Sequence, residues 1–223
     1  MMKILLVALV LVAAVSAQRT GQSTRYWDCC KPSCSWSANV GSHISRPVAT
    51  CAANGVTVLP LNVQSACIGG SAFACNNNAP WAVNDNLAYG FAAAVIAGQT
   101  QYDWCCSCYE LTFTSGPVVG KRMIVQVTNT GHDLGYDHFD IQIPGGGVGY
   151  FNQGCMAQWN TGPDGWGARY GGVSSEAQCS QLPAVLQDGC RWRWQWFNGA
   201  DNPFFSFTQV ACPAEILQRS QCQ

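Results

Sequence analysis

The chain has 223 residues, of which 48% are hydrophobic and only 10% charged, and its formal net charge is −1. Its scattered Lys and Arg form no basic cluster that could neutralise phosphates, which excludes a nucleic-acid partner from the expected functions. The length suits one compact domain with a sizeable core.

At the start, Met1 and Lys3 precede an apolar run from Ile4 to Val15, and Val15-Ser16-Ala17 forms a small-x-small site before Gln18. This pattern predicts a cleaved secretory signal peptide over residues 1–17, and so a soluble, secreted, extracellular mature protein. No later stretch approaches the roughly 18 apolar residues needed to cross a bilayer. The next distinctive segment is TRYWDCCKPSCSW, Thr24 to Trp36, where Asp28 is hemmed in by aromatics and cysteines. Asn86 to Ala97 is rich in alanine and ends at Gly98, which predicts a helix. Leu111–Thr114 and Met123–Thr128 carry β-branched alternation around the turn Ser115-Gly116-Pro117 and predict a strand pair.

Further along, Phe139–Ile143 alternates and is stopped by the glycine run Gly145-Gly146-Gly147. Pro183–Asp188 reads as a helix, while Trp192–Phe197 and Phe204–Val210 read as strands. Many short strands joined by long loops point to a small barrel. The fourteen cysteines all follow residue 17, and in an oxidising compartment they allow up to seven disulfides. The possible pairings number on the order of 10⁵, so spacing alone leaves the connectivity open. Cys105-Cys106-x-Cys108 departs from C-x-x-C and the chain has only three histidines, so no metal is expected.

The chemistry has a short list of carriers. No G-x-S-x-G elbow is present, the histidines 43, 132 and 138 lie in no triad signature, and the cysteines are needed for pairing. Two carboxylates stand out. Asp28 is one; Asp140 is the other, mid-strand between Phe139 and Ile141, where burial raises a carboxyl pKa unless a partner is found. One protonated and one ionised carboxyl are the machinery of glycosidic bond cleavage. The nine Trp and seven Tyr fit such a role, because exposed aromatic rings pack on the apolar faces of sugars.

TRYWDCCKPSCSW resembles the signature of glycoside hydrolase family 45, the small secreted endoglucanases. The likeness continues through PWAVNDNLAYGFAAAVIAG (Pro80–Gly98), WCCSCYELTFTSGPVVGK (Trp104–Lys121), HFDIQIPGGGVG (His138–Gly149), RYGGVSS (Arg169–Ser175) and ADNPFFSFTQVACPAE (Ala200–Glu215). The resemblance implies a mainly β fold, a six-stranded double-psi β-barrel with long disulfide-tied loops and a few short helices. It also implies one catalytic domain over residues 18–223, likened to the family's catalytic domain without a separate carbohydrate-binding module. The implied activity is inverting hydrolysis of internal β-1,4 bonds in a glucan polysaccharide, by a monomer with no cofactor and no membrane partner.

Carried over by position, the resemblance makes Asp28 the general base, Asp140 the general acid and Asp133 an assisting aspartate in the loop Gly131–Asp137. Tyr26 falls near the reacting sugar, Trp36 on a neighbouring glucose and Ala93 at a small-residue position by the centre; Thr24, Lys31 and His138 in the same blocks are further substrate-contact candidates. It also implies the pairings Cys29–Cys155, Cys30–Cys67, Cys34–Cys105, Cys51–Cys75, Cys106–Cys222, Cys108–Cys212 and Cys179–Cys190. The loop Asp133–Asp137 and the aromatic-rich segment Met156–Trp166 depart from the fungal forms, at the expected rim of the groove, where the preferred polymer is decided. A xyloglucan or mixed-linkage glucan is therefore an alternative substrate. Expansins, which bind walls without hydrolysis, share the barrel and an HFD-like segment, but an expansin-like chain lacks the block Tyr26-Trp27-Asp28.

Overall fold

The computed structural model describes residues 18–131 and 133–223. The expected signal peptide, residues 1–17, and His132 lie outside the described residues. The strands are β1 (Arg19–Tyr26), β2 (Thr50–Cys51), β3 (Val58–Leu59), β4 (Trp81–Asn84), β5 (Leu87–Val95), β6 (Cys108–Phe113), β7 (Arg122–Asn129), β8 (His138–Gln142) and β9 (Phe204–Val210). Among the described residues four α-helices accompany them: α1 (Gln101–Trp104), α2 (Gln153–Trp159), α3 (Ala184–Gln195) and α4 (Ala214–Ser220).

Six strands run in the order β5-β7-β6-β9-β1-β8, and β8 pairs back onto β5, which closes them into a barrel. The pairs β1/β8 and β5/β7 are parallel and the others antiparallel. This is the double-psi barrel that the resemblance implies. Closure removes every free edge from the six strands, while β4 folds back on β5 as an added hairpin.

Alternation decides what fills the barrel and what faces the cleft. Phe139 and Ile141 of β8 are fully buried, and Phe139 meets Tyr109, Phe205 and Phe207 edge-on, with centroids 5.4, 5.5 and 5.2 Å away. Such edge-to-face contacts suit the ring quadrupole and add to the hydrophobic term. Asp140, between the two buried residues, projects to the opposite side of the strand.

Two expected elements are corrected. The alanine-rich stretch 86–97 is not a helix but strand β5. It hydrogen-bonds to β4, β7 and β8, and from Ala88 to Ala94 all but one of its residues are buried. A strand pressed between so many neighbours needs small side chains, and tertiary pairing overrides the helix propensity of alanine. Trp192–Phe197 is not a strand; it continues the helix expected at Pro183–Asp188. The buried positions Leu186, Gly189, Cys190 and Arg193 follow the i, i+3, i+4, i+7 spacing of one helix face. Strand β1 escapes a sequence reading because RTGQSTRY has few apolar residues; its extension comes from pairing with β8 and β9.

Seven disulfides form, and they are the seven pairs the resemblance implies. Three of them leave the short segment after β1. Cys29 is tied to Cys155 on α2, Cys30 to Cys67, and Cys34 to Cys105 after α1.

Candidate active site

Asp28 follows β1 in a tight turn. The Trp27 N–H donates to the Gly147 carbonyl at 2.7 Å, and Cys29 adopts a left-handed backbone with φ of 61°. Such a conformation is costly for a residue with a Cβ and persists where its surroundings over-determine it; here the disulfides on both cysteines do so. The Cys30 N–H donates to Asp28 Oδ1 at 2.9 Å, closing an Asx-type turn that fixes the carboxylate. Gly147 takes φ of 105°, and a Cβ there would meet the Arg169 carbonyl oxygen at 2.8 Å, so only glycine lets the chain pass under Trp27.

Asp140 is placed by strand register. Its Cα partners are Thr24 on the parallel neighbour β1 and Ala93 on the antiparallel neighbour β5. Thr24 Oγ1 donates to Asp140 Oδ1 at 2.7 Å and contacts His138 Nε2 at 2.9 Å. A hydroxyl has one proton to give, so His138 must donate Nε2–H to Thr24 while Thr24 donates to Asp140. On the other side Ala93, buried and without a longer side chain, leaves the carboxyl free to face the cleft.

Asp28 and Asp140 line one cleft of about 730 Å³ together with Tyr26, Lys31, Trp36, Ala93, Asn129, Asp133, Tyr150 and Phe151. A second hollow of about 420 Å³, lined by Thr24, His138, Tyr170 and Asp201, shares Tyr26, Asp133, Asp140 and Gly149 with the first. The two are arms of one groove that meet at Asp140. Tyr26 Oη accepts from Asn129 Nδ2 at 3.2 Å, and Asn129 Oδ1 accepts from the Ser33 N–H at 2.8 Å. Burial pushes the Tyr26 phenol well above its ordinary range, and the charges of Asp28 and Asp140 push it the same way, so it stays a neutral hydroxyl.

The carboxyls differ. Burial pushes Asp140 up to about 7; the Thr24 hydroxyl opposes this, and the charges of Asp133 and Asp28 add to it. Burial raises Asp28 to about 6 against the Cys30 N–H, which favours its ionised form. Desolvation also holds His138 below the usual imidazole range, against the charge of Asp133, so the ring is neutral. Asp133 itself is exposed, in a loop whose far end is pinned by Asp137. The Asp137 carboxylate takes the Arg19 guanidinium and the Ala97 N–H, the latter at 3.1 Å.

The structure thus gathers Tyr26, Asp28, Trp36, Ala93, Asp133 and Asp140 at the groove. Thr24 sits there as the hydrogen-bond partner of Asp140, with His138 bonded in turn to Thr24, and Lys31, at the cleft wall, is only 5% exposed. Asn129 is an addition: nothing in its sequence neighbourhood separates it from an ordinary strand-end asparagine. Among the described residues no three His, Cys, Asp or Glu side chains gather as a metal site.

The model of glycosyl hydrolase family 45 matches residues 20–223. The chain belongs to this family. It is thereby a glycoside hydrolase. A protein of Cryptopygus antarcticus called endoglucanase is 53% identical over 219 residues, 98% of this chain and 96% of its own. Another of that name from Phaedon cochleariae is 51% identical over 202 residues, 91% of this chain and 83% of its own. The crystal structure of the cellulase from the Antarctic springtail Cryptopygus antarcticus superposes with a TM-score of 0.88 at 54% identity, covering 92% of this chain and 97% of that one. The fold is therefore shared over most of the chain.

Proposed function

We propose that this family 45 chain is a secreted endo-β-1,4-glucanase that cleaves internal bonds of cellulose-type glucans with inversion. One observation carries the reading. Two desolvated carboxyls share a groove, Asp28 buried and Asp140 partly exposed, are held by different partners, and are pushed up by desolvation, to about 7 for Asp140 and about 6 for Asp28. Between those values Asp140 is protonated while Asp28 is ionised, the acid and base states that inverting hydrolysis requires.

In this mechanism Thr24 donates to Oδ1 of Asp140, which leaves the acidic proton on Oδ2, the oxygen free to meet the leaving glycosidic oxygen. Neutral His138 donates to Thr24 and keeps that polarity fixed. Asp28, its Oδ1 bound by the Cys30 N–H, draws a proton from the water attacking the opposite face of the sugar. Inverting pairs stand about 6.5–9.5 Å apart so that this water fits. Tyr26, neutral and anchored by Asn129, presents a hydroxyl near the reacting ring. Trp36, on one arm, offers an indole platform for a neighbouring glucose.

The groove's two arms suit a polymer lying across the acid on both sides, which is endo cleavage. Seven disulfides that use all fourteen cysteines suit an oxidising, extracellular site of action. The deciding experiment follows cellohexaose hydrolysis by proton NMR. The first-formed reducing ends are expected as the α-anomer, and a β-anomer would overturn the inverting assignment. Reducing-sugar release from carboxymethyl cellulose should exceed that from xyloglucan; the reverse order would move the substrate to the branched polymer, and no release from either would remove the hydrolytic reading.

A further inference from the structure

Lys31 lies at the cleft that holds Trp36, yet it is almost entirely covered. Its Nζ donates to the backbone carbonyls of Leu61 and Val63, the second at 2.9 Å, and stands 3.4 Å from the centre of the Trp36 ring. An ammonium has three donors; two are engaged by carbonyls and the remaining side meets the indole. The backbone is fixed as well, since the Lys31 N–H donates to Ser65 Oγ at 3.3 Å and its neighbour Cys30 is bonded to Cys67. Trp36, by contrast, is only half-buried. The surface it shows to the cleft is therefore not the face beneath the covered ammonium.

We propose that Lys31 is a positioning residue for Trp36: its cation holds the indole plane from behind, so that the opposite face is preset for a glucose ring and Lys31 itself touches no sugar. The proposal rests on the reading of Trp36 as a sugar platform. A cation on a ring face is attracted by the ring quadrupole, most strongly when desolvated. A fixed platform then gives up less side-chain freedom when sugar binds. Burial lowers Lys31 only to about 8, so it stays charged where the carboxyl pair is active.

The test measures the Kd of cellohexaose by calorimetry in the hydrolysis-deficient Asp140→Asn background. Lys31→Met is expected to raise Kd about 3- to 10-fold. Lys31→Gln, which keeps a donor for the carbonyls but no charge, is expected to do the same and stands in should the methionine variant not fold. Lys31→Arg, a cation that also stacks on rings, should stay within about twofold of the parent. In the active enzyme the neutral variants should raise KM with kcat little changed. In a Trp36→Ala background, Lys31→Met should add nothing, since the residue acts through the indole. An added loss there would show that Lys31 contacts the sugar directly and would overturn the proposal. An unchanged Kd for both neutral variants would also overturn it, provided that Trp36→Ala weakens binding. Should Trp36→Ala leave Kd unchanged, the platform reading itself falls, and the two failures are thus distinct.

Discussion

Asp28 and Asp140 owe their difference to what each accepts. Both are desolvated, but Asp140 also feels the charges of Asp133 and Asp28, whereas Asp28 is relieved by the Cys30 N–H. Activity should therefore rise as pH passes about 6, where the base ionises, and fall as pH passes about 7, where the acid loses its proton. The two limbs are macroscopic values of the coupled pair. Asp133→Asn removes a charge that raises the Asp140 pKa, so the alkaline limb should move to lower pH while the acid limb stays; an unmoved alkaline limb in a pH profile of kcat/KM would deny the coupling. Asp140→Asn should lower kcat by at least about 100-fold. It should also stabilise the fold, with a definite sign against pH. The folded pKa lies above the usual carboxylate value, so the ionised group destabilises the folded state, fully above about pH 7 and progressively less below it. Scanning calorimetry should accordingly show a larger Tm gain for Asp140→Asn at pH 8 than at pH 5.

At the scale of elements, β5 is the strand the site depends on most. It sets Ala93 against Asp140 on one side and Asn129 on the other, with a register irregularity between Ala92 and Ala93 in its pairing with β7. Ala93→Val adds two methyl groups beside the acid in a buried position, and overpacking there should cost about 1–3 kcal/mol. The expected result is a kcat loss larger than any rise in KM, with a lowered Tm; a variant with normal kcat would show that the acid does not depend on this neighbour. How far these elements could be read beforehand follows from their surroundings. Strands β6, β7, β8 and β9 alternate, because one side packs in the barrel while the other faces away, and they were legible. Strand β5 is enclosed on all sides, so its alanines carry no alternation and mimic a helix. The tail of α3 was misread because four Trp and Phe residues between 192 and 197 carry β propensity, while the helical spacing of its buried face begins earlier, at Leu186. In the site, Asp28 and Asp140 stood out by their odd neighbours, and the family likeness gave them roles. Asn129 and the Thr24–His138 pair depend on contacts between strands more than 100 residues apart, which no local window contains.

Across the whole molecule, the disulfides join the ends of the chain to its middle. Cys106 holds Cys222, Cys108 holds Cys212, and Cys29 holds Cys155. Each bond contributes about 2–4 kcal/mol in the usual estimate, against a typical net stability of about 5–15 kcal/mol for a domain. Full reduction should therefore abolish the cooperative thermal transition and the activity together, and a reduced chain that melts within a few degrees of the oxidised one would contradict this. The barrel's strand order has a consequence for synthesis. Strand β1, which leads directly into Asp28, pairs only with β8 and β9, and β9 ends at Val210. A chain emerging from a ribosome or translocon can therefore pair β1 with β8 once Gln142 is out, but the other edge of β1 stays open until β9 appears. The barrel around the active centre therefore closes only when β9 is made, and a stop codon anywhere before Phe204 would strand β1 and β6 without the partner that lies between them.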